Sequence, residues 1–115
     1  MPARVTPDYR PSEEAVRTTA RAMRTGRALE LVVSERERQE QCKADGRFQF
    51  TCADDGMSNA EKFTVLGEEI GEVAQEVLTQ AGHRLARDTL GTRPALRAEL
   101  VQVAAVAVAW VEALL

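Results

Sequence analysis

An all-α fold, an antiparallel bundle of about four helices completed by homo-oligomerisation, follows from three features of the sequence. Aromatics make up 4% of the 115 residues, while Ala, Val, Leu and Glu dominate, a mix that favours helices packed through small aliphatic side chains. Apolar residues recur at helical spacing from Phe63 to Leu78. From Leu100 to Val111, Gln102 is the only strongly polar residue, so apolar groups cover every face of that segment. A helix that is apolar all round is normally buried. In a chain this short, that points to a core shared with another copy.

The elements follow in order. Residues 1–11 hold Pro2, Pro7 and Pro11 and read as an irregular lead-in. Ser12 is a good N-cap, and Glu13 and Glu14 suit the first turn of a helix over about 13–25. Gly26 ends or merely weakens that helix. A second helix is expected over 27–44. Its start is apolar (Ala28, Leu29, Leu31, Val32, Val33), and Ser34 to Gln41 is highly charged. Such a shift suits a helix leaving the core, or one running past a polar site. Residues 45–58, with Gly46, Gly56 and alternating Phe48 and Phe50, read as a loop with a short extended piece.

Ser58-Asn-Ala-Glu61 is a capping-box pattern and should open a strong helix that runs to about Gly82. Phe63, Leu66, Ile70, Val73, Val77 and Leu78 share one face, with Glu69, Glu72 and Glu76 on its flank. Gly67 and Gly71 are each unfavourable in a mid-helix. They permit close helix approach, leave room for a ligand beside the acids, or are tolerated weak points. Residues 83–92 read as a connection with a helical turn at 84–90. Thr92-Arg93-Pro94 then starts the last helix, with Pro in the first turn. The organisation is therefore an N-terminal extension, 1–27, and a helical domain, 28–115.

Several function classes are disfavoured. The formal net charge of −3 argues against a nucleic-acid binder. The Arg-rich stretch 17–47 reads as a solvated helix face, with one or two side chains available to phosphate. The first ten residues lack the apolar stretch of a signal peptide. The C-terminal apolar run looks too short and Ala-rich to span a bilayer, and Glu112 interrupts it. A soluble, cytoplasmic protein without membrane contact is expected. Cys42 and Cys52 make neither a disulfide framework nor a zinc motif and are expected to be free thiols.

Two polar pairs carry the chemistry. Glu69-Ile-Gly-Glu72 and Glu99-Leu-Val-Gln102 each place two oxygen-bearing side chains on one helix face. Clustered carboxylates repel one another unless a cation sits between them, and Mg²⁺ prefers oxygen ligands. Glu99 and Gln102 open the apolar helix and should point into an interior or an interface. The alternative is that Glu99 sits near the helix start, stabilised by the dipole and water. Gln75 is expected to face solvent, and His83 suits a helix end. A carboxylate-bridged di-iron site needs Glu-x-x-His on two helices, and the chain has a single His outside any such motif.

Glu-x-x-Glu, a gap, then Glu-x-x-Asp is the signature of the MazG-like all-α nucleoside triphosphate pyrophosphohydrolases. This chain resembles it as Glu69-x-x-Glu72, 26 intervening residues, then Glu99-x-x-Gln102. Val65 to Ala74 and Leu96 to Trp110 resemble the two motif helices of the short bacterial and phage members. Glu35 to Gln39 resembles the charged end of the preceding helix. The resemblance covers roughly 28–115. Gln102 departs from the pattern, since it offers a neutral carbonyl oxygen where the family has Asp.

The resemblance implies Mg²⁺-dependent hydrolysis of a nucleoside triphosphate to monophosphate and pyrophosphate, with Mn²⁺ as a substitute, in a homodimer or homotetramer. It implies Glu69, Glu72, Glu99 and Gln102 as metal ligands. Glu69, Glu72 and Glu68 are the catalytic candidates, and Glu76 is a further candidate base. Arg38 and Lys62 are candidates for substrate phosphate, against the plainer reading of both as surface residues. Two competing readings stand beside this one: a catalytically weak nucleotide-binding regulator, and a structural helical oligomer whose acids are solvated.

Overall fold

A computed structural model describes residues 3–4, 8–86 and 89–115. Among them are three α-helices and no strand: α1 (Glu13–Ala44), α2 (Asn59–Gln80) and α3 (Arg93–Ala113). Three of the four expected helix starts are present. Ser12 and Thr92 accept from the backbone amides of Ala15 and Ala95, and Ser58 and Glu61 form the reciprocal capping box.

The count of about four helices is corrected to three. α1 runs through Gly26 without a break. A lone glycine weakens a helix interior by about 1 kcal/mol relative to Ala, and no proline or cap stands beside it to turn that weakness into an end. The expected extended piece at 45–58 is a run of turns instead. In the connection before α3, Arg84 and Leu85 form a turn. Arg87 and Asp88 of the expected helical turn lie outside the described residues, as do Pro2 and Pro7 of the lead-in.

α3 lies between the other two helices, which do not pack on each other. α2 and α3 are antiparallel. At one end the Trp110 indole Nε1 donates to Asn59 Oδ1 at 2.9 Å. At the other, the Gly91 amide donates to the buried Glu76 carboxylate at 2.8 Å. α1 is fastened to α3 by the buried Arg36. Its Nε and Nη2 donate to Glu112 at 2.8 and 2.6 Å, and Nη1 donates to Gln39 Oε1 at 2.8 Å. A guanidinium is suited to such a fork because its donors are planar and fixed.

The core is small. Cys52, Val106 and Ala109 are buried, with Met57, Val65, Leu66 and Trp110 packed against them. The largest fully buried side chain is Cys42. The radius of gyration is 20.9 Å, whereas a compact chain of this length has about 13 Å. Residues 13–31 of α1 form an exposed arm. On α2, Phe63, Ile70 and Val77 recur every seven residues at 66%, 52% and 47% exposure, an apolar stripe that this chain does not cover. With 21 residues, α3 is long and apolar enough to cross a membrane, so its length does not exclude a span as the sequence suggested. It is flanked by α1 and α2, however, and carries the Glu112 ion pair near its end.

Gly67 and Gly71 have no heavy atom within 4 Å of an added Cβ, so close helix approach within the chain is not their role. Gly91 differs. At φ +60° a Cβ there would meet Thr79 Cγ2 at 2.6 Å and the Gln80 amide nitrogen at 3.2 Å. Gly91→Ala is expected to destabilise the fold by about 2 kcal/mol or more, combining the left-handed backbone penalty with the clash. Gly82 at φ +63° has open space around it. Gly82→Ala should therefore show only the backbone part. Urea unfolding of the two variants side by side measures the difference.

Candidate metal centre and adjoining clefts

Glu69 and Glu72 lie one turn apart on α2, and Glu99 comes from α3 where it packs against α2. One carboxylate oxygen from each lies within 4.8 Å of the others. Glu69 and Glu99 are half-buried and Glu72 is exposed. Glu69 Oε2 and Glu99 Oε2 are both buried without a hydrogen-bond partner. Unsatisfied buried oxygens are rare because each forfeits the hydration it had in water. Two in one cluster of like charge constitute an unbalanced site.

The electrostatics agree. Burial, the Glu72 charge, a carboxyl–carboxyl hydrogen bond with Glu72, and the charges of Glu99 and Glu35 push Glu69 up to about 7. Glu99 is likewise raised, by burial first, then by hydrogen bonding with Glu72 and the charges of Glu72 and Glu76. Both acids resist ionisation while the cluster holds no counter-charge. Three oxygen donors with net negative charge match a hard divalent cation such as Mg²⁺ or Mn²⁺, rather than a soft thiophilic metal. Glu99 is the seventh residue of α3, beyond its first turn, and is half-buried.

The remaining sequence candidates separate. Gln102 is half-buried and lines both clefts beside the acids. Glu68 is exposed and outside the cluster. Glu76 is occupied by the Gly91 amide. Arg38 lines both clefts, but Glu35 holds it through two hydrogen bonds of 2.8 and 2.6 Å. Lys62 is buried at 3% exposure rather than on the surface, and its charge acts on Cys52 and Asp54. It shares a helix face with Glu69 but stands two turns away, about 10 Å along the axis. Gln75 is half-buried rather than solvent-facing, and His83 is exposed. Cys42 and Cys52 are free and buried.

Glu35 is the site residue that sequence reasoning passed over. Its side chain is 13% exposed, it lines both clefts, and its charge reaches Glu69. Its signal in the sequence is the charged end of α1, which suits a helix running past a polar site.

Two clefts flank Gln102, and Glu69 lines one of them. One, of about 220 Å³, runs from Glu69 and Gln102 to Phe48, Phe50, Met57 and Val65. The other, of about 390 Å³, lies on the α1–α3 side and carries Ser34, Arg38, Arg97 and Gln102. The two clefts share Glu35, Arg38 and Gln102, and of the three clustered acids Glu69 lines the first. No protein-family model, curated protein or solved structure matches the chain.

Proposed function

We propose that this protein is a Mg²⁺-dependent pyrophosphohydrolase that converts nucleoside triphosphates to monophosphates and pyrophosphate, and so clears or balances a nucleotide pool. The carrying observation is the convergence of Glu69, Glu72 and Glu99 with two buried, unpartnered carboxylate oxygens. The resemblance of both motif helices to the MazG-like family supplies the reaction.

Glu69, Glu72 and Glu99 would hold the divalent ion, with the Gln102 amide oxygen as a neutral further donor. The bound ion would offset the repulsion between a triphosphate and these acids and polarise the scissile phosphoryl group. The chain's own part is orientation and proton transfer. A carboxylate kept ionised beside the ion is placed to accept a proton from the attacking water, and Glu69, within the cluster, is the candidate. Arg97 and the Glu35-paired Arg38 line the second cleft, where the pyrophosphate end of the substrate would lie.

One observation favours a weaker catalyst that binds nucleotide and regulates. Gln102 lines the same cleft as Glu69 and brings no charge. Under that reading Gln102→Asp raises turnover. The primary test incubates the purified protein and Mg²⁺ with a panel of canonical and modified nucleoside triphosphates, measuring monophosphate and pyrophosphate. Absence of both products throughout the panel overturns the enzymatic reading.

The reading includes a cytoplasmic location and a homodimer or homotetramer, and the uncovered stripe of Phe63, Ile70 and Val77 supports the self-association. Phe63→Glu is expected to lower the mass seen in sedimentation to that of a smaller assembly, because a buried unpaired carboxylate is strongly unfavourable. An unchanged mass would show that the stripe is not an interface.

A further inference from the structure

We infer that the cleft bounded by Phe48 and Phe50 receives the nucleobase of the substrate, and that the Gln39 side-chain amide reads the base edge. This rests on the nucleotide reading above, and it assigns residues that neither motif includes. Three observations carry it.

The first is a pinned aromatic wall. Phe48 and Phe50 are 38% and 46% exposed, so they are not core residues. Their loop is nevertheless fastened at both ends. The Arg47 and Phe48 amides donate to the Cys42 carbonyl at 2.8 and 3.0 Å. At the other end Thr51 Oγ1 donates to Glu40 at 2.8 Å, and its amide donates to Asp54 at 2.9 Å. Arg38 lies over the Phe48 ring, 5.9 Å from its centroid, and the Phe50 ring, held half-exposed on a fixed loop, presents a surface on which a planar ligand stacks without a large ordering penalty.

The second is an amide donor with no protein partner, on a largely buried residue of the cleft wall. Gln39 is 8% exposed and lines this cleft. Its Oε1 accepts from Arg36 Nη1 at 2.8 Å, and a guanidinium only donates, so the orientation of the amide is fixed. The Nε2 group has no partner among the described residues. It can donate to a ring nitrogen or carbonyl of a base.

The third is continuity. Glu69 and Gln102 line the same cleft, and Gln102, Glu35 and Arg38 also line the second one. A ligand with its ring against the phenylalanines would bring its phosphates to Glu69, which lines the same cleft. A nucleotide has that arrangement.

Gln39→Glu is the discriminating variant. Glutamate keeps an acceptor for Arg36 but exchanges the donor facing the cleft for an acceptor. Preference should move from bases presenting a carbonyl at that edge toward bases presenting an amino group. Phe50→Ala removes a stacking face and should weaken binding about tenfold or more. Both variants, and the unmodified protein, are titrated with the four nucleoside monophosphates without divalent ion, following the Phe48 and Phe50 ring signals by NMR.

Ring-signal shifts on binding, weakened by Phe50→Ala and reordered among bases by Gln39→Glu, support the inference. Two outcomes overturn it. Either no monophosphate perturbs these rings, or binding is indifferent to both substitutions. Pyrophosphate release that persists in either case leaves the catalytic reading standing with its base subsite elsewhere.

Discussion

Glu69→Gln is expected to reduce pyrophosphate release by at least about two orders of magnitude, the usual scale for loss of a positioned general base. The same substitution should raise the melting temperature of the metal-free protein. The two effects have one cause. Glu69 sits beside Glu72, Glu99 and Glu35, and its buried Oε2 has no partner. Gln has the same shape and no charge, so it removes repulsion from the folded state while leaving the helix intact. An acid retained where it strains the fold is characteristic of a functional position, since activity and stability then trade against each other. Glu68→Gln is the matched control. Glu68 is exposed and outside the cluster, and neither readout should move. Unchanged turnover in Glu69→Gln, with lowered stability, would identify the acid as a structural residue.

The parts of this molecule legible in its sequence are those set by local chemistry. Ser58 and Glu61 announce the start of α2 because a capping box depends only on residues three apart. Glu69 with Glu72 is likewise a property of one helix. Glu99 was legible for a different reason, as an acid at the head of a helix too apolar to be solvated all round. What depends on tertiary contact was not legible. Gly26 marks a break by propensity alone, yet an uncapped glycine does not end a helix. Lys62 has a surface composition, but its stem is covered where α2 meets the loop carrying Cys52. Glu35 gains its importance only from how α1 lies against α3. The tie from Arg36 to Glu112 spans 76 residues, and no periodicity reports a contact at that range.

Divalent metal is expected to reverse the pH dependence of stability. Glu69 titrates near 7 in the folded protein against an ordinary value of 4.5, so between those values the folded state holds a proton that the unfolded chain releases. The contribution is most favourable below 4.5, falls as pH rises, and levels off above about 7. Glu99 is raised and adds in the same sense. The lowered carboxyls, Asp45, Asp54 and Glu61, titrate beneath their ordinary values of 3.8 to 4.5 and stay ionised through this window. The Cys52 thiol is raised from 9.0 and lies above it. The metal-free melting temperature should therefore decline from pH 4.5 to 7. Mg²⁺ or Mn²⁺ binds the ionised carboxylates, so its stabilisation should grow over the same interval. At about a hundred times its dissociation constant it adds about 2.7 kcal/mol, on the order of 10 °C for a domain of this size. Thermal scans at both ends of the window, with and without metal, measure both slopes, and Glu99→Gln should flatten both. A metal-free curve that is level through neutrality, or a metal effect equal at both ends, would mean that these three acids do not form a cation site.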